Sequence, residues 1–177
     1  MRQTTSRLVL RPPAAGDLDQ LFRIYSDPAV HRFSPRGPLT QPAQAETLLA
    51  AWMDHWQRKA YGMWAISACD APGQLIGFGG VASYRYLDEE RENLGYRFAE
   101  AAWGRGYATE LARFALEFAL GELALPEVFA LVRPAHAASI RVLEKAGMAR
   151  IGELDDVPGQ PASHVYRKPG RGPGVPA

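Results

Sequence analysis

The chain has 177 residues, 47% of them hydrophobic and 22% charged, with a formal net charge of +1 and a single cysteine. That length supports one core of ordinary size, and the near-neutral charge excludes nucleic acid or a membrane surface as the main partner. Lone Cys69 excludes an internal disulfide framework, no Cys/His cluster has zinc-ligand spacing, and no run approaches the ~20 apolar residues of a bilayer span.

Leu8, Val9 and Leu10 predict a short first strand, closed by Arg11-Pro12-Pro13. Leu18, Leu21, Phe22 and Tyr25 recur at helical spacing, with Asp17 suited to the N-cap and Asp27-Pro28 to the stop. Thr40 and Pro42 open a second helix with the stripe Leu48, Leu49, Trp52, Met53 and Trp56. The period then changes. Gly62 to Ala68, Leu75 to Tyr84 and Asn93 to Phe98 predict an antiparallel meander, with turns at Asp70 to Gly73 and at Asp88 to Glu92.

A helix from about Gly106 to Leu120 follows, with Leu111, Ala115, Phe118 and Ala119 inward and Gly121 as terminator. Val128 to Val132 predicts a buried strand, Ser139 to Ala146 a short helix ending at Gly147. Two weaker strands lie near Arg150 to Leu154 and His164 to Lys168. The sum is β-αα-βββ-α-β-α-ββ, a single α/β domain over residues 1–168 with a mixed sheet, followed by a Gly/Pro-rich tail, 169–177, expected to be disordered. The expected location is the cytoplasm.

The most informative stretch runs from Asn93 to Glu110. A strand enters a turn containing Gly104 and Gly106, and a helix starts at once with small Ala108. Successive backbone N–H groups can converge there, and a helix N-terminus adds about half a positive charge, which together suit a pyrophosphate. A tight turn without a ligand would look much the same. The P-loop ending Gly-Lys-Ser/Thr is missing, and the following strand ends at Val132-Arg133-Pro134 without the acidic residue of a nicotinamide site.

Two segments taken together, Trp103-Gly104-Arg105-Gly106-Tyr107-Ala108-Thr109-Glu110 and Ala138 to Met148, resemble the signature motifs of the GNAT acetyltransferase superfamily. The branch is similar to the bacterial ribosomal-protein N-terminal acetyltransferases. Ser6-Arg7-Leu8-Val9-Leu10-Arg11-Pro12, Asp17, Ser26 to Val30 and Leu75-Ile76-Gly77-Phe78-Gly79-Gly80 also match, so the resemblance covers residues 6 to 168. It implies a mostly antiparallel sheet with splayed central strands and helices on both faces. It also implies acetyl-CoA as cosubstrate and no metal, with the pantetheine in the V between the two strands.

On that resemblance the cofactor residues are Tyr96, Arg97 and Phe98 on the strand, Trp103, Gly104, Arg105, Gly106, Tyr107, Ala108 and Thr109 around the pyrophosphate, and His136 and Ser139 near the last helix. His136 stands where the family usually has Asn, Leu143 where many members have a tyrosine acid, and Asn93 where a glutamate often precedes Leu-Gly-Tyr.

The implied chemistry is direct attack of a neutral amine on the thioester. Ser139 is the candidate proton donor or contact for the thiolate, although serine at a helix start also serves as a plain cap. Glu92 is the candidate base, with Asp88, Glu89, His31 and His55 behind it. An α-amino group, with a pKa of about 7.7–8.0, is far more often neutral than a lysine near about 10.4, which favours a low-pKa amine where the base is weak. Trp52, Trp56, Tyr61, Trp64, Tyr84 and Tyr86 either line an acceptor pocket or fill the core. Arg36 and Arg85 meet an acidic acceptor or solvent. Three functions remain open: acetylation of a protein N-terminus, acetylation of a small amine such as a polyamine, amino acid or antibiotic, and a non-catalytic acyl-CoA-binding module. The expected assembly is a monomer or homodimer.

Overall fold

The computed structural model describes residues 2–170. Its elements in chain order are β1 (Gln3–Thr4), β2 (Leu8–Arg11), α1 (Leu18–Tyr25), α2 (Pro42–Lys59), β3 (Met63–Ala68), β4 (Leu75–Tyr86), β5 (Glu89–Phe98), α3 (Tyr107–Glu117), β6 (Glu127–Val132), α4 (Ala137–Lys145), β7 (Ala149–Leu154) and β8 (Ser163–Pro169). Among the described residues the eight strands form one sheet in the order β1-β2-β3-β4-β5-β6-β8-β7. Every neighbouring pair is antiparallel except β5 and β6, which run parallel.

The sheet carries a core on each face, because alternate residues of one strand point to opposite sides. Trp64 and Ile66 of β3 join Leu94 and Phe98 of β5 against Leu111, Ala115 and Leu143 of α3 and α4. Ala65 of the same β3 joins Leu75 and Phe78 of β4 against Leu21, Ile24 and Leu49 of α1 and α2. A third cluster, Tyr86, Phe129 and Val165 with Leu131 and Leu154, is drawn from strands alone. Helices α1 and α2 therefore cover the β4 side of their face and leave the β5–β8 side open.

Several boundaries differ from the sequence expectation. Asp88 to Glu92 is not a turn: β4 runs on to Tyr86 and β5 starts at Glu89, leaving Leu87 and Asp88 as the hairpin tip. Tyr84–Arg91 and Arg85–Glu90 are cross-strand partners, so the charged run is half of a long ladder rather than a solvated loop. Gly121 does not end the third helix. It lies inside a wide π-type turn, Phe118–Glu122, and the chain leaves through Ala124 at a positive φ of 51°.

Asp17 does stand at the start of α1, but no side-chain cap bond forms there. Its carboxylate instead accepts two bonds from the Arg11 guanidinium, at 2.7 and 2.6 Å, and one from the Ala14 N–H at 2.8 Å. Positions 169 and 170 of the expected tail belong to the fold. Pro169 ends β8, and the Gly170 N–H donates to the Pro126 carbonyl at 2.8 Å; positions 171–177 lie outside the described residues.

Candidate active site

The parallel pair that breaks the antiparallel pattern also makes the site. β5 and β6 share a single register pair, Asn93 with Phe129. Beyond it the two strands diverge, so β5 from Leu94 to Phe98 has a ladder with β4 on one edge and an open V on the other. Gly79 on β4 permits the close packing behind the V. A Cβ there would lie 2.6 Å from Leu111 Cδ2 and 2.7 Å from Tyr96 Cβ.

At the wide end of the V lies the glycine turn before α3. Gly104 and Gly106 hold φ of +71° and +79°, the left-handed region open to glycine, and α3 starts at Tyr107 directly after. The first intrahelical bond runs from the Glu110 N–H to the Gly106 carbonyl at 3.1 Å, so the N–H groups of Tyr107, Ala108 and Thr109 have no helical acceptor. Three convergent donors and the positive end of a helix fit a diphosphate.

The strand β1–β2 turn braces this loop. Arg7 Nε donates to Glu110 Oε2 at 2.7 Å and its backbone N–H to Oε1 at 2.8 Å, while Thr5 Oγ1 donates to Oε1 at 2.6 Å. A further Arg7 N–H donates to the Arg105 carbonyl at 2.8 Å. Arg7 and Arg105 both lie over the Tyr107 ring, at 5.1 and 5.2 Å. These donors hold the Glu110 carboxyl below its ordinary pKa although burial pushes the other way. Trp103 is 48% exposed, and its indole N–H donates to the Phe98 carbonyl at 2.9 Å, which fixes the strand's exit into the loop.

Across the V lies a hydroxyl pair. Tyr96 of β5 and Ser139 of α4 are 2.8 Å apart, oxygen to oxygen. α4 starts at Ala137, so Ser139 is its third residue and the alternative of a plain cap falls away; His136 holds the N-cap position. Burial raises the Tyr96 phenol to about 12, and the bond to Ser139 opposes that rise only in part. The phenol is therefore a neutral donor at physiological pH, beside a helix N-terminus that favours anions. Leu143, in place of the expected tyrosine acid, is 2% exposed and belongs to the core.

Arg97 points to the other face of the sheet. Its guanidinium lies over the Tyr25 ring at 4.9 Å and donates to the His31 imidazole, with one nitrogen 2.6 Å from Nε2 and 2.8 Å from Nδ1. Burial, then the Arg97 charge, lowers His31 to about 4, so this imidazole is a neutral acceptor. His136 is lowered by the same two causes, and its ring stacks on Phe33 at 4.3 Å. The segment between α1 and α2 thus reaches across to the start of α4.

Glu92 lies on the narrow side of the V, one residue before its vertex. Its Oε1 accepts from Lys59 Nζ at 2.9 Å, Tyr61 OH at 2.8 Å and Ser83 Oγ at 3.1 Å. Burial raises its pKa, but the bonds from Lys59 and Tyr61 outweigh that and hold it below the ordinary carboxylate value. Asn93 Oδ1, at the vertex, accepts from Tyr86 OH at 2.5 Å. Asp88 is exposed at the hairpin tip, Glu89 pairs with Arg91 at 2.5 Å, and His55 is buried against the edge of Tyr61 with its Nε2 unpartnered.

The aromatic candidates divide. Trp52 packs on Tyr25 and Phe78, and Trp56 packs on buried Trp64 while donating to the Met63 carbonyl at 2.8 Å, so these three are core. Only Tyr84 and Tyr86 stand on the open face. Arg85 folds back onto the Leu87 carbonyl at 3.1 Å, Arg36 is exposed, and Cys69 is an exposed free thiol away from the V.

Residues 7–149 match the family model described as an acetyltransferase (GNAT) domain. The chain belongs to the GNAT acetyltransferase family. A relative to this GNAT domain, the uncharacterised N-acetyltransferase p20 of Bacillus licheniformis, is 26% identical over 154 residues, covering 86% of this chain and 84% of that protein. A shorter match, the uncharacterised YkkB of Bacillus subtilis, is 37% identical over 101 residues; it spans 55% of this chain and little more than half, 58%, of that protein. Among solved structures, an acetyltransferase of Agrobacterium tumefaciens superposes with a TM-score of 0.79 at 26% identity, over 95% and 94% of the two chains. RimL, a ribosomal-protein α-N-acetyltransferase in complex with coenzyme A, shares the fold at a TM-score of 0.78 and 15% identity, over 95% and 97%.

The sequence carries the glycine turn before α3 and offers Ser139 as a candidate, but gives Tyr96 and Arg97 only a strand-backbone role. Their alternation on β5 was the available signal: with Leu94 and Phe98 facing α3 and α4, Tyr96 must face the same way and Arg97 the opposite one.

Proposed function

We propose that this GNAT domain transfers the acetyl group of acetyl-CoA to a primary amine of low pKa, an α-amino group on a protein N-terminus or a small molecule, by direct attack on the thioester. Acetyl-CoA supplies an activated acyl carbon. Tyr107, Ala108 and Thr109 hold its diphosphate through backbone N–H groups, and the unpaired edge of β5 holds the pantetheine arm. A backbone N–H of the Tyr96–Phe98 strand polarises the carbonyl.

The observation that carries this reading is the Tyr96–Ser139 pair, which sets a protonated phenol across the diverging strands at the N-terminus of α4. As the carbon–nitrogen bond forms and the carbon–sulfur bond breaks, nitrogen loses one proton and sulfur gains one. Tyr96, with Ser139 as its hydrogen-bond partner, donates toward the departing thiolate. The pair replaces the tyrosine that Leu143 is not.

Glu92 is a poor base: its Oε1 already accepts three bonds that hold the carboxyl below its ordinary pKa, and its Oε2 is buried. His31, held near pKa 4, is too weak a base to deprotonate an ammonium. An acceptor already partly neutral at pH 7 suits such a site, and α-amino groups meet that condition at a pKa of about 7.7–8.0. The test is release of free CoA thiol with a panel of amines. Thiol that accumulates only with an amine supports transfer. Acetyl-CoA binding with no amine consumed leaves a binding module instead.

A further inference from the structure

Arg97 is a half-buried guanidinium at the site that meets no carboxylate among the described residues. Four arginines packed on the fold do have carboxylates: Arg7 has Glu110 at 2.7 Å, Arg11 has Asp17 at 2.6 Å, Arg91 has Glu89 at 2.5 Å and Arg133 has Asp156 at 3.3 Å. Arg97 has only the His31 imidazole and the face of Tyr25 among the described residues. A guanidinium carries five N–H donors in a planar fork shaped for a carboxylate, and one imidazole uses few of them.

Removing a charge from water without a counter-ion is costly, and the protein bears that cost here. Burial lowers the pKa of Arg97, and its charge helps to hold His31 and His136 neutral.

The position says which substrate the charge serves. Arg97 lies two residues beyond Gly95, roughly 7 Å along the strand, on the face of the sheet opposite to Tyr96 and α3. The diphosphate cradle belongs to the α3 side. Arg97 belongs to the opposite face, at the end that Tyr25 of α1 and His31 cover; further back along β5 the same face carries the strand-only cluster of Tyr86, Phe129 and Val165. His136 and Phe33 close the end of that face next to Arg97.

We propose that Arg97 receives a carboxylate carried by the acceptor close to its reacting amine. The substrate class is then an α-amino acid, or a peptide N-terminus with an acidic side chain close by, and not a polyamine or other polycation. This rests on the acetyl-transfer reading and narrows it. The two sources present the same chemistry, a carboxylate a few bonds from a primary amine.

The experiment compares each free amino acid with its carboxamide, and each dipeptide carrying a second-position Asp with its Asn counterpart. Wild type, Arg97→Met and Arg97→Lys are assayed by kcat/KM. The carboxylate should be favoured by about tenfold to a hundredfold in the wild type, the range of a charge-assisted hydrogen bond. Arg97→Met should erase the preference and leave the KM for acetyl-CoA unchanged; Arg97→Lys should keep part of it. Whichever pair shows the preference identifies the source.

A parallel titration with CoA bound measures the N-acetylated forms of the same carboxylates and carboxamides, and needs no turnover. Selective binding of N-acetylated carboxylates that Arg97→Met abolishes supports the inference even where no amine is consumed, and the transfer reading then fails alone. Turnover with no carboxylate preference in either assay overturns the inference and leaves transfer standing. So does a loss of acetyl-CoA affinity in Arg97→Met that equals the loss for the acceptor, which would assign Arg97 to the donor.

Discussion

Tyr96 and Ser139, 43 residues apart in the chain, meet oxygen to oxygen at 2.8 Å across the opening between β5 and β6. Neither hydroxyl is needed to hold the sheet, since β5 already pairs with β4 from Glu89 to Phe98. Tyr96→Phe keeps the ring in its place and removes the donor. It should lower kcat roughly a hundredfold, the low end for a positioned general acid, with the KM for acetyl-CoA moving less than threefold or so. Ser139→Ala should lower kcat less, by about tenfold, because the phenol remains. Steady-state kinetics on both variants decides it; unchanged kcat in Tyr96→Phe removes the phenol from the reaction.

Glu92→Gln separates a base from a structural carboxylate. The substitution keeps an oxygen for Tyr61 and Ser83 but loses the charge facing Lys59. The thermal midpoint should fall by a few degrees, as for a loss of about 1–2 kcal/mol in a domain of this size, while the acidic limb of the rate profile stays where it was. A collapse of kcat with unchanged stability would return Glu92 to the mechanism.

What could be read from the sequence was what depends on local backbone. The turn before α3 is set by Gly104 and Gly106 at positive φ and by a helix that starts one residue later, and all three are legible in a dozen residues. The order of elements followed from the change between helical and strand periods for the same reason. Contacts over long separations were not legible. Glu92 looked like part of a charged turn because its partners, Lys59 and Tyr61, lie 33 and 31 residues upstream. Tyr96 looked like strand because the atom it meets belongs to another element. The π-type turn at Phe118–Glu122 escaped because Gly121 is an ordinary helix terminator, whereas here the Leu123 N–H reaches back to the Phe118 carbonyl at 3.0 Å.

Glu110 couples the glycine turn before α3 to the first hairpin. Its carboxylate takes bonds from Thr5 and Arg7, and the same Arg7 holds the Arg105 carbonyl. Glu110→Ala should destabilise the fold by about 2 kcal/mol, discounted for the half-exposed arginine, and should weaken acetyl-CoA binding by roughly tenfold through the loosened loop. Calorimetric titration and a urea melt measure the two effects. Full retention of affinity would show that the loop keeps its shape without the brace.

Three histidines set the stability of the fold between neutral and mildly acidic pH. His31 is lowered to about 4, and His55 and His136 are lowered as well, in each case first by burial. The unfolded chain therefore takes up protons near pH 6.5 that the folded chain refuses. Stability is complete above that value and is lost as pH falls from about 6.5 toward 4, because the unfolded state binds more protons throughout that window. Below about 4 His31 is protonated in both states and adds no further loss. His31→Gln keeps an acceptor for Arg97 and removes the titration, so its urea midpoint should fall less between pH 7 and pH 5 than that of the wild type. Parallel slopes for the two proteins would mean that His31 charges in the folded state at its ordinary pKa, and that Arg97 is not held against it in solution.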